Sequence, residues 1–346
     1  MHRRTFLQTA AVSTLALSAG AAGAAGAARR LRIGFLGCSH SHALSKLKLA
    51  LESPDWECVG FFEPGEKHRA AAEKLGAKSL TREQVLAASE VVALEGKAQG
   101  RHELARAALL AGKHIHIEKP PTLTLGEFRE LLGIAREKRA LMQQGYMWRF
   151  NPGINAALEA ARKGWLGEVY LVRGVINTNL SSESRRSYDA TAGGTMFELG
   201  CHLVDPMIRL LGKHAKVTPV LRHDAKDADQ LADNCVAVFD FKHAIGIISS
   251  AMMQPTAGAH RTFEIQGSNG VAIVKPLEQP VLTVELARDA GPYRKGSQVI
   301  QYPPYKRYEP EFAELATCIR TSKPLAVTPE EDERVHEALL KACGMH

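Results

Sequence analysis

The sequence lacks the features that mark several large classes of protein. Its 346 residues carry a formal net charge of +7, but the positive charges are scattered, and without a long run of Lys or Arg we expect no nucleic-acid binding. The six cysteines form no Cys-x-x-Cys pair and no disulfide-framework spacing, so buried free thiols are expected. No internal repeat or low-complexity linker interrupts the chain. The mildly basic balance is compatible with an anionic small molecule as partner.

A long apolar run is also missing, apart from a short one near the N-terminus. There Arg3 and Arg4 precede Phe6 and Leu7, an arrangement typical of twin-arginine signals. The apolar run that follows is too short for a membrane span, and small-x-small sites predict cleavage between residues 25 and 28. We therefore expect the twin-arginine export machinery to carry the folded protein into the periplasm. The alternative is an ordinary secretory signal with an accidental second arginine.

The hydrophobic pattern predicts two domains after this signal. Short apolar strands alternate with helices from Leu31 to Tyr146, which predicts a doubly wound parallel sheet. After about Trp148 strand-like runs follow one another up to Val274, which predicts an antiparallel sheet, and two helices close the chain. The fold class is thus α/β with a second α+β domain whose open sheet is mainly antiparallel. The predicted bounds are 1–28 for the signal, 29–148 for a Rossmann dinucleotide-binding domain and 149–346 for a substrate and oligomerisation domain.

A glycine turn follows the first predicted strand. It comprises Gly37, Cys38, Ser39, His40, Ser41 and His42. A strand, such a turn and a helix form a pyrophosphate site, because backbone N–H groups and the helix N-terminus face the phosphates. Only the first glycine of the Gly-x-Gly-x-x-Gly fingerprint is present, although the serines can donate hydrogen bonds to phosphate. We predict a dinucleotide site here; the alternative is a site that has decayed.

An acid stands where the second predicted strand ends. Glu63 has the position at which a carboxylate holds the adenosine ribose hydroxyls. A carboxylate there repels a 2′-phosphate. The sequence therefore favours NAD as the cofactor over NADP.

The segment Gly112–Pro120 ends a predicted parallel strand with Glu118, Lys119 and Pro120. The carboxyl edge of such a sheet is where open α/β folds bind ligands. This segment resembles the signature of the Gfo/Idh/MocA family, the glucose–fructose oxidoreductases and inositol dehydrogenases. The similarity extends over about residues 31 to 343. Further matching segments are 145–152, 164–169, 193–205 and 261–270.

The resemblance implies hydride transfer between a nicotinamide and a carbinol or ketone carbon of a sugar, cyclitol or glycoside. Lys119 would hydrogen-bond the reacting oxygen, and His202 would be the general acid/base. Glu198 stands where the family has Asp, four residues before this histidine, so it could orient or charge-pair the imidazole. Glu118 and Lys119 would also contact the cofactor. The alternatives are a surface lysine, a packed histidine and a merely structural glutamate.

Other residues on the predicted domain junction have two interpretations. The side chains of Tyr146, Trp148, Arg149 and Asn151 could line a sugar pocket. They could equally pack the domains together.

Four histidines lie near the predicted sheet edge. His114 and His116 share one face of a strand, and His40 and His42 belong to the glycine turn. No carboxylate or thiol completes a recognisable ligand spacing, so we predict no metal site.

Two functions follow from these observations. The first is an NAD(P)-dependent oxidoreductase that keeps its cofactor, because the periplasm holds no nicotinamide pool. It would either oxidise one substrate and reduce another, or oxidise, cleave a neighbouring bond and reduce again. The alternative is a non-catalytic sugar-binding protein, since the glycine turn and the loop at residues 94–102 both depart from the family pattern.

The helix-free face of the second sheet predicts a homodimer or homotetramer.

Overall fold

A computed structural model describes residues 29–185, 188 and 193–345. The predicted export signal at residues 1–28 lies outside the described residues. Within the described part of the chain, every helix is too short or too polar to cross a bilayer.

Five parallel strands form the first sheet. The strands are β1 (Leu31–Leu36), β2 (Trp56–Phe62), β3 (Val91–Leu94), β4 (His114–Ile117) and β5 (Met142–Gln144). The helices between them are α1 (Ala43–Glu52), α2 (Glu66–Lys74), α3 (Arg82–Ala88), α4 (Arg101–Leu110) and α5 (Leu125–Lys138). The strand order is β2-β1-β3-β4-β5. The order reverses at β1, so the crevice for a ligand opens at the carboxyl ends of β1 and β3.

The local sequence fixes where these elements begin. The central strands are almost fully buried, as apolar runs in a parallel sheet should be. Helices α3 and α5 begin with capping boxes, in which Thr81 pairs with Gln84 and Thr124 with Glu127. The predicted alternation of strands and helices is therefore confirmed.

The second domain is built on an eight-stranded sheet. The strands are β6 (Val169–Val175), β7 (Lys216–Arg222), β8 (Asn234–Asp240), β9 (Ile245–Ala251), β10 (Thr262–Gly267), β11 (Gly270–Val274), β12 (Val281–Leu286) and β13 (Gly296–Gln301). The helices are α6 (Pro152–Arg162), α7 (Ser182–Arg185), α8 (Cys201–Leu211), α9 (Glu309–Thr321) and α10 (Pro329–Ala342). The order is β13-β12-β11-β10-β6-β9-β8-β7, antiparallel throughout except for the parallel pair β6/β9. The predicted α/β class with a mainly antiparallel second sheet is confirmed.

The sequence pattern did not reveal strands β7, β12 and β13. Strands β7 and β13 form the two edges of the sheet, and their residues alternate between exposed and half-buried. Polar side chains such as Lys216 and Gln298 interrupt them, so no apolar run marks either strand. Edge strands with charged residues resist pairing with other chains.

The C-terminal helices tie the two domains together. Phe312 and Leu315 of α9 pack into the core of the first domain, beside Ile33 of β1. Helix α10 contacts the first domain through His336, whose Nε2 lies 2.9 Å from Oγ1 of Thr122. The two C-terminal helices therefore contact both domains and fix the two sheets on either side of the cleft.

A buried ion triad lies at this junction. Arg149 belongs to a 3₁₀ turn that follows β5, and its Nη2 lies 2.7 Å from Asp205 of α8 and 2.6 Å from Asp332 of α10. All three side chains are at most 7% exposed. The guanidinium is the cation that joins the two buried carboxylates; Asp205 has a second, longer contact with Arg209 at 3.5 Å.

The substitution Arg149→Ala should lower the free energy of unfolding by about 3–5 kcal/mol, because it removes the cation beside buried Asp332 and leaves Asp205 with only the longer contact to Arg209. The control is Arg129→Ala, which removes an exposed pair with Glu333 and should cost less than about 1 kcal/mol. Urea denaturation followed by circular dichroism measures both. Equal midpoints for the two variants would refute the structural role of Arg149.

Candidate active site

A chamber of about 530 Å³ lies between the two sheets, at the carboxyl edge of the first. Both domains contribute to its wall. The structure brings seven of the predicted site residues to this wall: Ser39, His40, Ser41, Lys119, Trp148, Glu198 and His202.

The glycine turn forms one wall of the chamber. Gly37 has φ +85°, and a Cβ at this position would lie 2.6 Å from Cα of Gly96, so only glycine allows this approach of two loops. The N–H of His40 donates to the carbonyl of Glu95 at 3.0 Å. Among the described residues, no hydrogen-bond acceptor faces the N–H groups of Ser39 and Ser41. Two free backbone donors at the start of α1 suit a phosphate group.

The acid at the end of β2 supports the turn directly. Glu63 accepts hydrogen bonds from the backbone N–H of Cys38 at 2.6 Å and of Gly65 at 2.8 Å. Its side chain lines a second cavity of about 660 Å³, together with Arg69 and Arg82. The turn thus separates a chamber beside Lys119 from a cavity beside Glu63. A dinucleotide bound across the turn would have one nucleotide in the chamber and the other in the cavity beside Glu63. The residues present fit a dinucleotide.

A buried lysine lies beneath the carboxyl ends of β3 and β4. The Nζ atom of Lys46 in α1 lies 2.5 Å from Glu118, 3.0 Å from Glu95 and 3.8 Å from Glu311. It also lies 2.9 Å from Nε2 of His116. Burial would lower the pKa of Lys46, but the carboxylates around it raise the pKa above its usual value, so the ammonium stays charged.

The acids around Lys46 differ in charge. Burial works against the ionisation of Glu118, but Lys46 holds its pKa well below the usual value. Burial raises the pKa of Glu95 and of Glu311 to about 8 in each case, in spite of Lys46. Near neutral pH, Glu118 is therefore the carboxylate that pairs with Lys46.

Glu118 also faces the glycine turn. Its carboxylate accepts a hydrogen bond from the N–H of Lys119 at 3.0 Å. It lies 3.3 Å from Nδ1 of His42 and 3.8 Å from Nδ1 of His40. This carboxylate therefore joins the turn after β1 to the segment after β4.

Lys119 projects across the chamber to the second domain. Its Nζ donates to the carbonyl of Glu198 at 2.8 Å and lies 3.6 Å from the Glu198 carboxylate. Burial would lower the pKa of Lys119, but nearby acidic groups, among them Cys201 and Glu198, raise it. Lys119 is therefore a charged donor at neutral pH.

His202 stands at the start of α8. Its ring centroid lies 5.2 Å from that of Trp148, 6.2 Å from that of Tyr146 and 6.4 Å from that of His42. Burial lowers its pKa well below the usual value, and the charge of Lys119 lowers it further. The imidazole is therefore neutral, and among the described residues its Nδ1 has no hydrogen-bond partner.

The expected pairing of Glu198 with His202 needs correction. Glu198 lies in a π-helical turn, Met196–Gly200, that leads into α8. A π turn needs more residues per turn than an α-helix, so side chains four apart no longer share a face. Within the described ranges, Glu198 pairs with Lys119 and makes no hydrogen bond or ion pair with His202.

The four residues at the domain junction separate into two groups. Trp148 lines the chamber. Tyr146 is only 1% exposed and packs against the His202 ring outside the chamber wall. Arg149 and Asn151 do not reach the chamber. The first belongs to the ion triad, and the second caps α6 through Ile154 N–H at 3.1 Å.

Sequence reasoning missed Arg101. Its guanidinium lines the chamber and donates to the carbonyls of Glu118 at 3.0 Å, Gly96 at 2.6 Å and Pro120. It therefore joins the loops after β3 and β4. No sequence signal pointed to it. The neighbouring His102 lies outside the chamber and pairs with Glu130.

A Rossmann domain with a sheet domain that closes the site is the arrangement typical of the class of NAD(P)-binding oxidoreductases. The chain belongs to the GFO/IDH/MocA family. Residues 31–146 match the family described as "Oxidoreductase family, NAD-binding Rossmann fold", and residues 154–273 match its C-terminal domain.

Curated relatives agree with this class. The chain is 27% identical over 166 residues to a trans-1,2-dihydrobenzene-1,2-diol dehydrogenase of Bos taurus, covering 47% of this chain and 48% of that protein. It is 28% identical over 202 residues to a dTDP-3,4-didehydro-2,6-dideoxy-alpha-D-glucose 3-reductase of Streptomyces violaceoruber, covering 57% and 59%. The chain spans about half the length of these curated relatives.

Solved structures share the fold over nearly the whole chain. The UDP-N-acetylglucosamine 3-dehydrogenase GnnA from Acidithiobacillus ferrooxidans matches with a TM-score of 0.74 and 19% identity, over 91% of this chain and 97% of that one. GenD2 from gentamicin A biosynthesis, solved with NAD, matches with a TM-score of 0.75 and 21% identity, over 91% and 94%.

The buried acids predict that the free energy of unfolding falls as the pH rises from about 4.5 to about 8. Folded Glu311 keeps its proton up to a pKa of about 8, whereas the unfolded chain loses it near 4.5. The stabilisation is therefore present below pH 4.5 and is lost as the pH rises to 8, by about 1 kcal/mol per pH unit. In urea titrations between pH 6 and 9, Glu311→Gln should flatten this slope, and the exposed control Glu52→Gln should not. Equal slopes in both variants would disprove the assignment.

Proposed function

We propose that this protein transfers a hydride between NAD and a carbinol or ketone carbon of a sugar, cyclitol or glycoside, and that it keeps the dinucleotide bound through each turnover. The observation that carries the proposal is the meeting of Lys119 and His202 in one chamber beside the free N–H groups of the glycine turn. Bound NAD would supply the hydride acceptor. The protein's own residues would take the proton and stabilise the negative charge on the reacting oxygen.

Lys119 is suited to the reacting oxygen. It is charged, only 3% of its side chain is exposed, and its ammonium has further donor capacity beside its contact with Glu198. A fixed positive charge that is itself largely shielded from solvent stabilises a developing alkoxide strongly. Glu118 fixes the position of Lys119 through the Lys119 backbone N–H.

His202 is suited to proton transfer. Because burial and Lys119 keep it neutral, the ring can accept a proton from a carbinol hydroxyl. Trp148 and Tyr146 hold the ring on two sides, which leaves its orientation little freedom. Lys119 would stabilise the oxygen while His202 takes its proton.

Glu63 supports NAD over NADP. Its carboxylate is fixed by two backbone N–H groups at the end of β2, where a ribose 2′-phosphate would meet a fixed negative charge. Tight retention of the dinucleotide is supported by the two-domain wall of the chamber and by the predicted export signal. That signal itself stays a prediction.

Protein purified from cytoplasm should release about one NAD per chain on denaturation, as identified by mass. With a panel of sugars and aryl glycosides, the rise of reduced-nicotinamide fluorescence measures the rate at which the bound cofactor is reduced, and addition of a ketose or other carbonyl acceptor that reoxidises it gives turnover. Lys119→Met and His202→Gln should each reduce turnover at least about 100-fold and retain the cofactor, whereas the surface control His102→Gln should match the wild type.

Two results would contradict this proposal. Protein without bound nicotinamide that also fails to bind added NAD would favour a non-catalytic sugar-binding protein. Unchanged turnover in either variant would refute the assigned role of that residue. Release of the aglycone from an aryl glycoside without added NAD would identify redox-neutral cleavage.

We also propose that the open face of the second sheet forms a homo-oligomer interface. Helices α6, α8 and α10 pack against the second sheet, while Val220, Val238, Ile245 and Val299 remain 39–62% exposed on its strands. The strand register places these four side chains on one face. An exposed apolar face of this kind marks a protein–protein contact.

The double substitution Val238→Asp and Ile245→Asp should convert a dimer or tetramer into a smaller species, because it places charges in the apolar contact. Light scattering after size exclusion measures the mass. The control is Leu110→Asp on α4, where an equally exposed leucine lies on the first domain. A wild-type protein of monomer mass would exclude this interface.

A further inference from the structure

The chamber wall carries positive charge that the proposed hydride transfer does not use. Arg261, directly before β10, and Arg307, in the segment between β13 and α9, both line the chamber. Among the described residues that line it, Glu198 is the only carboxylate, and it already pairs with Lys119. We propose, as an extension that rests on the function proposed above, that the sugar substrate carries an anionic group, a carboxylate or a phosphate, and that Arg261 and Arg307 bind this group.

The other cations of the chamber wall already have partners or tasks. The lysines and arginines that line it are Lys97, Arg101, Lys119, Arg261 and Arg307. Arg101 donates to three backbone carbonyls, and Lys119 is the proposed partner of the reacting oxygen. Lys97 belongs to the loop after β3, beside the glycine turn, where the phosphates of a dinucleotide would lie. Arg261 and Arg307 are therefore the cations that remain for a charge on the substrate.

Two contacts hold Arg261 in place and leave part of its guanidinium available. Its Nε donates to the carbonyl of Asn177 at 2.9 Å, and its Nη1 donates to Oε1 of Glu278. Within the described ranges its Nη2 makes no hydrogen bond. A guanidinium that is already fixed loses little conformational freedom when it binds an anion, and its remaining N–H groups can donate to carboxylate or phosphate oxygens.

Arg307 faces the same carboxylate oxygen as Arg261. Its Nη2 lies 3.6 Å from Oε1 of Glu278, which is too far for a hydrogen bond. One carboxylate therefore stands beside two guanidinium groups, and one positive charge is left without a counter-charge. The side chain of Arg307 is 41% exposed, so an anion in the chamber can reach it without displacing a buried contact.

The backbone next to Arg307 has an unusual conformation. Tyr308 has φ +70°, which a residue with a bulky side chain rarely adopts. Its ring is buried, with its centroid 5.3 Å from that of His42 and 5.4 Å from Nζ of Lys46. These contacts fix the segment before α9 to the glycine turn and hold Arg307 at the chamber wall. Strained backbone that the surrounding structure holds in place is concentrated at binding sites.

The rest of this wall suits a sugar whose charged group lies on Arg261. Thr178 and Tyr188 line the same chamber and offer hydroxyl groups to the hydroxyls of a sugar ring. His202 belongs to the same chamber wall. An anionic group held by the two arginines would therefore anchor the substrate at one end, while the carbinol faces Lys119 and His202.

The test measures the binding of sugars by calorimetry to the full-length protein, with the dinucleotide that it retains. The anionic probes are glucuronate, galacturonate and glucose 6-phosphate, and the neutral probes are glucose, galactose and the methyl ester of glucuronate. At least one anionic probe should bind at least about 10-fold more tightly than its neutral counterpart, and added salt should weaken that binding. The order of affinity between uronates and glucose 6-phosphate identifies the anion as carboxylate or phosphate.

Arg261→Gln and Arg307→Gln should each weaken the binding of the preferred anionic probe at least about 10-fold and leave the affinity for its neutral counterpart unchanged. Arg307→Lys keeps the charge and should restore part of the affinity. The control is Arg294→Gln, which removes an exposed arginine of the second domain that pairs with Asp289 outside the chamber. If Arg261→Gln does not fold, the two Arg307 variants carry the test, because that side chain makes no hydrogen bond to Glu278.

Equal affinities for charged and neutral probes, no binding of any anionic probe, or unchanged anion binding in the glutamine variants would overturn this inference. Loss of NAD from Arg307→Gln with unchanged sugar binding would place this arginine on the cofactor and would overturn it too. Because these titrations measure binding and not turnover, anion binding that depends on Arg261 together with unchanged turnover in Lys119→Met would contradict the proposed function alone.

Discussion

The buried ammonium of Lys46 is the constraint on which the site depends. It approaches Glu95 at the end of β3, Glu118 at the end of β4 and Glu311 of α9, all without access to water. Carboxyls gathered this closely in a protein interior would repel one another if they ionised without a cation. With Lys46 present, Glu118 is ionised and stays in place. Its backbone neighbour Lys119 and the two imidazoles of the turn are then placed by one carboxylate.

The second domain completes this arrangement from the other side. The π turn before α8 directs Glu198 toward Lys119 and leaves His202 free to face the chamber. Arg149 fixes α8 and α10 to the turn that follows β5. The lysine and the histidine therefore come from different domains, which the ion pairs of Arg149 and the contact of Lys119 with Glu198 join.

The departures from the family pattern are concentrated around the cofactor side of the chamber. Ser39 and His42 replace two glycines of the fingerprint, and Glu95 and Gly96 belong to the loop after β3, which also departs from the family pattern. In the structure the two loops are in contact, since Gly96 makes room for Gly37 and the N–H of His40 donates to the carbonyl of Glu95. The departures therefore lie in two adjacent loops at the same edge of the first sheet.

The sequence by itself determined the fold class, the order of the first sheet's elements and the choice of Lys119 and His202 as candidate site residues. Those features depend on local hydrophobic periodicity and on motifs of adjacent residues, which a linear chain shows directly. Only the tertiary structure decided which residues contact Glu118 and that Arg101 lines the chamber. It also decided that Arg149 joins two helices through ion pairs, and that Glu198 does not contact His202. These depend on which distant side chains share a buried space, and burial decides which charges must pair; neither is visible in spacing along the chain.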